Sequence, residues 1–476
     1  MNTKKEDSTF FVRRLFGFSF GPVVNALIGF VSVPVTTWFL DPQELGRASM
    51  FTTAQGVFTV VIFLGLTNSF VREYKSGVNR TNLLYHCLVP PLIISVLLSI
   101  VTIFFNQKIS YILFGQYDLF GTVMLAIVLP ILVIEKYATN VVRMEEKARF
   151  YSLNMILRKI SSFLILLSFL LLIESSYHAV LVASVGSTLI VTVLQIASMF
   201  HVWNDFSNFS FNKKFFSKLL KFGLPLIPAA GLSWIFNSID MIALRTYSSF
   251  AELGIYTGAF KVISLFRIVK TSFNNFWIPT AYRWYENNER IGKFQKVSDT
   301  IMSLFAVLAV TVIVSRKIIF LLLSEKYLPS AQVFPFLIFI PVVMTVSETT
   351  VLGIAFSRKT YFHIIISLVV CIVNVTGNLL LVPIYGAVGA ALSTGFSYIV
   401  FFFIRSYLSN RLWGNLYMGR HIINIILIAA LTVITLFENE YMVYLEIVLS
   451  GIIILYNYKN AAHALRIGLK AVRSKG

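Results

Sequence analysis

Five charged side chains lie inside two apolar runs of membrane length between residues 222 and 283. A charge at the centre of a bilayer costs about 2.5–3.5 kcal/mol on insertion scales, so such groups face protein or a water-filled cavity. The five are Asp240, Arg245, Lys261, Arg267 and Lys270. Buried bases can bind an anion, and a buried acid can carry a proton or a sodium ion. This stretch is therefore the first candidate for an ionic site.

The depth of these charges predicts one ion pair. If the turn between the two helices is centred near Ala251, Asp240 and Lys261 each lie about ten residues from it, roughly 15 Å along the helix axis. Equal depth allows the two side chains to neutralise each other. Arg245 lies close to the end of its helix, where a long side chain can reach the membrane interface.

The remaining bases lie on the other side of the second predicted helix. At about 100° per residue, Arg267, Lys270 and Asn274 point away from Lys261, and Tyr256 extends their face. We therefore expect Arg267 and Lys270 to meet an anionic ligand. The alternative is that all the charges form a buried network of pairs or reach the membrane interface.

Polar side chains also recur at helical spacing. Ser233, Asn237 and Asp240 form one stripe, and Asn374 and Asn378 belong to another. Such residues either line a cavity or form hydrogen bonds between helices, worth about 0.6 kcal/mol each on average. Asp240 is the stronger functional candidate because it is ionisable.

Two acids and one arginine complete the candidates. Glu135 and Glu348 lie in the inner thirds of the fourth and tenth apolar runs. Each is either a proton or sodium site, or the partner of Lys136 or another base. Arg72 ends the second run, where the distribution of charge explains it, although it could also meet an anionic headgroup.

The composition indicates that these residues lie on membrane-spanning helices. The chain has 476 residues, 57% hydrophobic and 13% charged, and its mean hydropathy is +0.79. Runs of about 20 apolar residues span the hydrocarbon core, so the sequence predicts an all-α polytopic membrane protein. About fourteen such runs occur, the last two short, at residues 15–39, 48–70, 83–104, 118–140, 153–173, 178–200, 220–246, 254–280, 299–323, 332–356, 361–383, 386–408, 421–437 and 441–457.

The net charge of +19 reflects topology rather than nucleic-acid binding. With the N-terminus in the cytoplasm, most Lys and Arg residues fall in inner loops and at the two chain ends. Both termini are therefore predicted to be cytoplasmic, on a basic face attracted to anionic lipids. Cys87 and Cys371 lie in apolar runs and give no disulfide framework. Metal spacings, phosphate loops and nucleophile motifs are absent and the outer loops are short, so neither a cofactor nor an enzyme is predicted.

Several segments recur at a nearly constant offset. Glu44-Leu-Gly recurs as Glu252-Leu-Gly, and Tyr177 recurs as Tyr385, both 208 residues later. Each copy holds six helices, an even number, so the two copies are predicted to be parallel repeats.

Three regions follow from this repeat. Residues 1–210 form an N-terminal lobe of helices one to six, residues 211–410 form a C-terminal lobe of helices seven to twelve, and residues 411–476 add a helix pair and a basic tail. A bundle of two lobes places a site between them and can open alternately to either side of the membrane.

An ordered series of motifs over about the first 410 residues carries a family resemblance. The motifs are residues 18–34, Leu40-Asp-Pro-Gln-Glu-Leu-Gly46, Leu64-Gly-Leu66 before Arg72 and Tyr74, Asp240, Ala251-Glu-Leu-Gly-Ile-Tyr256 followed by Lys261, and Asn374-x-x-x-Asn378-x-x-Leu-x-Pro383-x-x-Gly386-x-x-Gly389-Ala-Ala391. In these motifs the chain resembles a polysaccharide flippase of the Wzx type, within the multidrug/oligosaccharidyl-lipid/polysaccharide (MOP) exporter superfamily. The last two helices are similar in number to those of the fourteen-helix lipid II flippases, where the extra pair helps to accommodate the lipid tail.

The resemblance implies a substrate and a membrane location. Such proteins move an oligosaccharide linked to undecaprenyl pyrophosphate across the bacterial cytoplasmic membrane, for O-antigen, capsule or another exopolysaccharide. We expect coupling to H+ or Na+, and the glycan polymerase and chain-length machinery as partners. Arg267 and Lys270 would then offset the desolvation of the pyrophosphate. The expected sugar contacts are Asn237, Asn374, Asn378 and Tyr256.

Three other functions are open. A drug or small-cation exporter of the same superfamily would favour an acidic cavity, and the predicted cavity is basic. A membrane glycan polymerase or ligase would need a catalytic residue on an external loop. A scaffold without transport would have no use for the buried charges.

Overall fold

The computed structural model describes residues 24–25, 27–76, 79–204, 209–437 and 439–473, without the side chains of 267–268 and 463–473. Within these ranges every regular element is a helix, so the predicted all-α fold is confirmed. The chain divides into two compact units, Met1–Met241 and Ile242–Gly476. The boundary between the units lies inside one helix, and the lobe bounds expected from the repeat stay a prediction.

The first unit holds eleven helices in its described part, the last of which continues into the second unit. They are α1 (Leu27–Phe39), α2 (Pro42–Phe63), α3 (Leu66–Glu73), α4 (Arg80–Phe104), α5 (Asn106–Phe114), α6 (Leu119–Met144), α7 (Ala148–Leu172), α8 (His178–Ser198), α9 (Phe200–Trp203), α10 (Lys213–Gly223) and α11 (Ile227–Tyr247).

Short polar side chains begin several of these helices. Asn79 accepts hydrogen bonds from the backbone N–H groups of Thr81 and Asn82 at the start of α4. Asp118 accepts one from Gly121 at the start of α6, and Asn212 begins α10 in the same way. Such caps satisfy N–H groups that have no partner within the helix, and each is worth about 1 kcal/mol.

A sharp bend separates α2 from α3. Leu64 and Gly65 both adopt left-handed backbone angles, with φ of 50° and 70°, and α3 leaves α2 at 59°. A Cβ atom on Gly65 would lie 2.1 Å from the carbonyl oxygen of Gly223, so the close approach of these two backbones requires glycine. The uninterrupted helix predicted for residues 48–70 is therefore wrong, because a contact with a distant segment breaks it.

The second unit adds ten helices in its described part. They are α12 (Phe250–Ser264), α13 (Arg267–Glu286), α14 (Ile291–Val314), α15 (Arg316–Leu323), α16 (Ser330–Leu337), α17 (Phe339–Thr350), α18 (Leu352–Phe356), α19 (Phe362–Leu412), α20 (Gly419–Ile434) and α21 (Glu440–Arg473).

The breaks between and within these helices agree only in part with the predicted spans. The single helix predicted for residues 254–280 is wrong, since α12 ends at Ser264 and tighter bonds from Leu265 to Val262 and from Phe266 to Ile263 precede α13. In α19 the backbone breaks at Gly386, with φ 52° and ψ −128°, which agrees with the predicted division between residues 383 and 386.

Fewer of the described helices qualify as membrane spans than the sequence predicts. Within the described ranges nine helical segments are long and apolar enough to cross a membrane, or ten if α2 and α3 count as one bent span. Helices α1 and α20 are apolar but shorter. The prediction of about fourteen helices is therefore not confirmed as a count.

In each unit, the glutamate of the Glu-Leu-Gly motif accepts a hydrogen bond from a distant backbone N–H group. Glu44 Oε2 accepts a hydrogen bond of 2.9 Å from the backbone N–H of Tyr177, just before α8. Glu252 Oε2 accepts one of 2.7 Å from Ala387, just after the break in α19. This equivalence is what an internal repeat predicts, and it gives the Glu-Leu-Gly motif a physical role.

Buried polar contacts join the C-terminal helix pair to α15 and hold its two helices together. Arg316, at the start of α15, and Glu446, on α21, form a two-pronged ion pair, with 3.0 Å between Nη2 and Oε2. Asn424 on α20 and Asn457 on α21 exchange amide hydrogen bonds of 3.2 and 2.6 Å. The pair is thus part of the packed unit.

Candidate functional site

Three helices of the second unit meet at Glu348. This residue lies near the end of α17, and its Oε1 is 3.4 Å from Arg405 Nη1 on α19. Lys270 Nζ, on α13, is 3.9 Å from the same oxygen. The three side chains are 14%, 11% and 24% exposed, so this carboxylate and its two bases are largely withdrawn from solvent.

Neighbouring groups fix the position of this cluster. Arg405 Nη1 donates a hydrogen bond of 2.8 Å to Ser347 Oγ, and the guanidinium lies 5.2 Å from the ring centre of Phe401. Trp277 Nε1 donates to the backbone oxygen of Glu348 at 3.1 Å. In the described part of the chain, Arg405 Nε has no hydrogen-bond partner. A buried donor without a partner is costly, and a ligand acceptor would satisfy it.

A second carboxylate cluster lies in the first unit. Glu135 Oε1 accepts from Arg158 Nη1 at 3.0 Å and from Thr139 Oγ1 at 3.1 Å. Arg158 Nη2 donates to Thr188 at 3.1 Å, and Gln195 donates to Thr139 at 3.1 Å. Helices α6, α7 and α8 are thereby joined around one ion pair.

Both acids therefore have an arginine partner in their own unit. Of the two roles expected for Glu135 and Glu348, this geometry favours the partner of a base, and the base of Glu135 is Arg158 rather than Lys136. The coupling role for H+ or Na+ stays a prediction.

The charges first singled out are placed as follows. Asp240 is buried on α11, and Lys261 is half-buried on α12. They belong to different units, so the predicted pair stays a prediction. Arg267 is the first residue of α13, but its side chain is outside the described residues. The angles assigned to Arg267 and Lys270 relative to Lys261 assumed one continuous helix and do not hold across the break.

The two asparagines of the most specific motif are in a packed hydrogen-bond network. Asn378 Nδ2 donates to the backbone oxygen of Asn374 at 2.9 Å and to Ser393 at 3.2 Å. Asn374 Nδ2 donates to Thr394 at 3.1 Å. Both asparagines are buried, and they join the two halves of α19. This geometry favours helix packing over cavity lining.

The other candidates are in varied surroundings. Tyr256 is buried and packs with Phe260. Asn237 is exposed and its amide donates to the backbone oxygen of Ser233. Asn274 is partly buried, and in the described part its side-chain oxygen has no hydrogen-bond partner.

Arg72 lies in the last turn of α3 and is exposed. Its guanidinium lies 4.3 Å from the ring centre of Phe222, and its Nε is 3.8 Å from Glu73 Oε1. Glu73 also pairs with Lys218 on α10 at 2.8 Å. These contacts connect the end of α3 to α10, and the predicted contact with an anionic headgroup stays a prediction.

Sequence reasoning missed Arg405 and Arg158, the arginines that partner the two acids. Both satisfy the criterion that selected the charges at 222–283, because each lies inside an apolar run. Applying that criterion to every run would have found them.

The fold and its long apolar helices define a multi-pass helical membrane protein. The chain matches the family described as "Polysaccharide biosynthesis protein" over residues 12–284, more than half of its length. It therefore belongs to the polysaccharide biosynthesis protein family. No curated protein sequence matches it significantly.

Solved structures give the same fold. A structure named "Lipid II flippase MurJ, inward closed conformation" is similar with a TM-score of 0.67 and 16% identity, covering 95% of this chain and 99% of that one. An inward-facing multidrug resistance MATE family transporter of the MOP superfamily is similar with a TM-score of 0.59 and 15% identity, covering 81% of this chain and 95% of that one. The Vibrio cholerae MATE transporter VcmN is similar with a TM-score of 0.55 and 13% identity, covering 86% of this chain and 98% of that one. At these identities the likeness shows the fold, which is that of MOP transporters.

Proposed function

We propose that this protein flips oligosaccharides linked to undecaprenyl pyrophosphate across the cytoplasmic membrane by alternating access, for surface polysaccharide synthesis. The observation that carries the proposal is the basic cluster of Arg405 and Lys270 around Glu348, in a chain of the polysaccharide biosynthesis family with a MOP transporter fold. One relative in fold is named as a flippase of lipid II, which is consistent with a lipid-linked substrate.

The physical case rests on the charge of the carrier lipid. A diphosphate that enters a low-dielectric layer loses hydration, and fixed guanidinium and ammonium groups offset that loss. Arginine suits this task because its planar donors match phosphate oxygens and it stays protonated. Arg405 offers its Nε, and Lys270 and Arg267 on α13 supply the further bases that the sequence led us to expect.

Energy input is part of the same proposal. Moving a charged headgroup repeatedly in one direction requires a gradient, and we assign the coupling ion as H+ or Na+. Glu348, Glu135 and Asp240 are the acids through which such coupling would act. We propose no resident cofactor.

The decisive experiment locates the lipid-linked oligosaccharide in cells depleted of this protein, using a membrane-impermeant probe on spheroplasts. Accumulation on the cytoplasmic side that wild type reverses supports the proposal. Variants Arg405→Gln and the double change Arg267→Ala with Lys270→Ala should fail to reverse it. Arg405→Lys tests whether charge alone suffices, and Arg411→Gln, an exposed arginine on α19, is the matched control.

Two results would lead elsewhere. Oligosaccharide that reaches the outer leaflet but stays unpolymerised would indicate a polymerase or ligase. Normal glycan export with increased sensitivity to cationic drugs on depletion would indicate a small-molecule exporter.

A further inference from the structure

A cavity of about 320 Å³ lies in the first unit beside the bend between α2 and α3. The bend creates it, because α3 turns away by 59° and leaves space between the end of α2, the middle of α6 and the start of α11. Gly65 lines the cavity and touches Gly223 through its backbone, which fixes the bend. The volume is near the lower end for ligand sites and suits a group about the size of one sugar.

Apolar and polar residues both line this cavity. The apolar residues include Phe63, Leu132 and Ile227. The polar residues are Thr59, Thr67, Asn68, Glu135 and Lys136.

The charges in the cavity do not cancel. Arg158, 3.0 Å from Glu135, neutralises that carboxylate from outside the cavity lining. Lys136 is exposed and, among the residues that the structure describes, its ammonium makes no ion pair or hydrogen bond. The side chains of Thr67 and Asn68 are likewise without partners in that part of the chain. The cavity therefore presents one uncompensated positive charge beside two free polar side chains.

We propose that this cavity binds one anionic sugar-sized group, through Lys136, Asn68 and Thr67, with the ring against Phe63. The proposal rests on the proposed function and extends it by giving the glycan carrier a second contact point, separate from Glu348. The anion is a carboxylate or a phosphate, carried either by a sugar of the oligosaccharide or by a lipid headgroup.

The first test measures the charge of the cavity directly on purified protein in nanodiscs. Thr67→Cys is labelled with anionic and cationic methanethiosulfonates of equal size, which is practical because both native cysteines, Cys87 and Cys371, are buried. For a reagent that reacts about 7 Å from an ammonium group in water, loss of that charge changes the ratio of anionic to cationic labelling on the order of tenfold. Lys136→Gln should produce that change, and Lys108→Gln, an exposed lysine on α5, should not.

The second test identifies the occupant by protection of the same cysteine. Glucuronate should slow labelling at concentrations where glucose does not, and Lys136→Gln should abolish the difference. Glycerol 1-phosphate is tested in parallel. Protection by glucuronate alone assigns a carboxylated sugar, and protection by glycerol phosphate alone assigns a phosphate headgroup.

The outcomes separate this inference from the proposed function. An unchanged labelling ratio in Lys136→Gln, at both Thr67→Cys and Asn68→Cys, overturns the charged site whatever the cells do. Equal protection by glucose and glucuronate overturns the anionic ligand. If oligosaccharide never accumulates on the cytoplasmic side in depleted cells, flipping is overturned even if the cavity binds glucuronate.

Discussion

The buried pair of Arg316 and Glu446 should stabilise the second unit strongly. The side chains are 9% and 12% exposed, so solvent screens them little. Removing one partner leaves a buried charge uncompensated, which costs about 3–5 kcal/mol. Replacing both partners by apolar side chains of similar volume is often neutral. We therefore expect Arg316→Met and Glu446→Met to destabilise separately and to compensate each other when combined.

The assay is the apparent melting temperature in nanodiscs at one fixed scan rate, because membrane proteins often unfold irreversibly. At about 2 °C per kcal/mol for a unit of this size, each single variant should melt about 6 °C or more below wild type. The double variant should recover most of that loss. Glu440→Gln, an exposed acid on the same helix, should change the melting temperature by less than about 1 °C.

Additive losses in the double variant would refute the reasoning, because the two side chains would then act independently. A loss in the single variants no larger than that of the Glu440 control would refute it as well. Either result would mean that the attraction between these two charges does not stabilise the position of α21.

Two further predictions concern the backbone conformation of Gly386 and the ionisation of Asp118. Gly386→Ala should lower the free energy of unfolding by about 1–3 kcal/mol, because φ is +52° and the new Cβ would lie 2.6 Å from Glu252 Oε2. The control is Gly451→Ala, where the new Cβ meets open space. Equal melting temperatures of the two variants would contradict the argument. Burial alone would raise the pKa of Asp118, but hydrogen bonds from His178, Tyr177 and Gly121 lower it below its usual 3.8. Its contribution to stability is therefore present above pH 3.8 and is lost as the pH falls through the lowered value. Asp118→Asn should flatten the acid limb of a melting profile, and an unchanged limb would contradict this.

The sequence predicts the helical class and most span positions because apolar runs and their ends are local signals. It does not predict the bend at Gly65, since residues 48–70 contain no proline and no charged residue, and the bend depends on Gly223. The break after Ser264 is missed because no glycine or proline lies between residues 259 and 278 to mark it.

The candidate site was predicted less well than the fold. The criterion of a charge inside an apolar run is sound, and it selected Glu135 and Glu348. It does not say which charges meet, because partners such as Arg158 and Arg405 come from other helices whose rotation the sequence leaves open. The asparagines at 374 and 378 share the spacing of a cavity stripe but are buried between the two halves of α19.

The contact between Gly65 and Gly223 limits which substitutions can occur at these two positions during evolution. A side chain at either position meets the backbone of the other, since a Cβ on Gly223 would lie 2.8 Å from the Gly65 carbonyl carbon. If either glycine is replaced by a larger residue, a change at the other position cannot make room for the new side chain, because that position is already glycine, the smallest residue. Related chains that keep this bend should keep both glycines, and chains that lose one should lose both together with the cavity beside them.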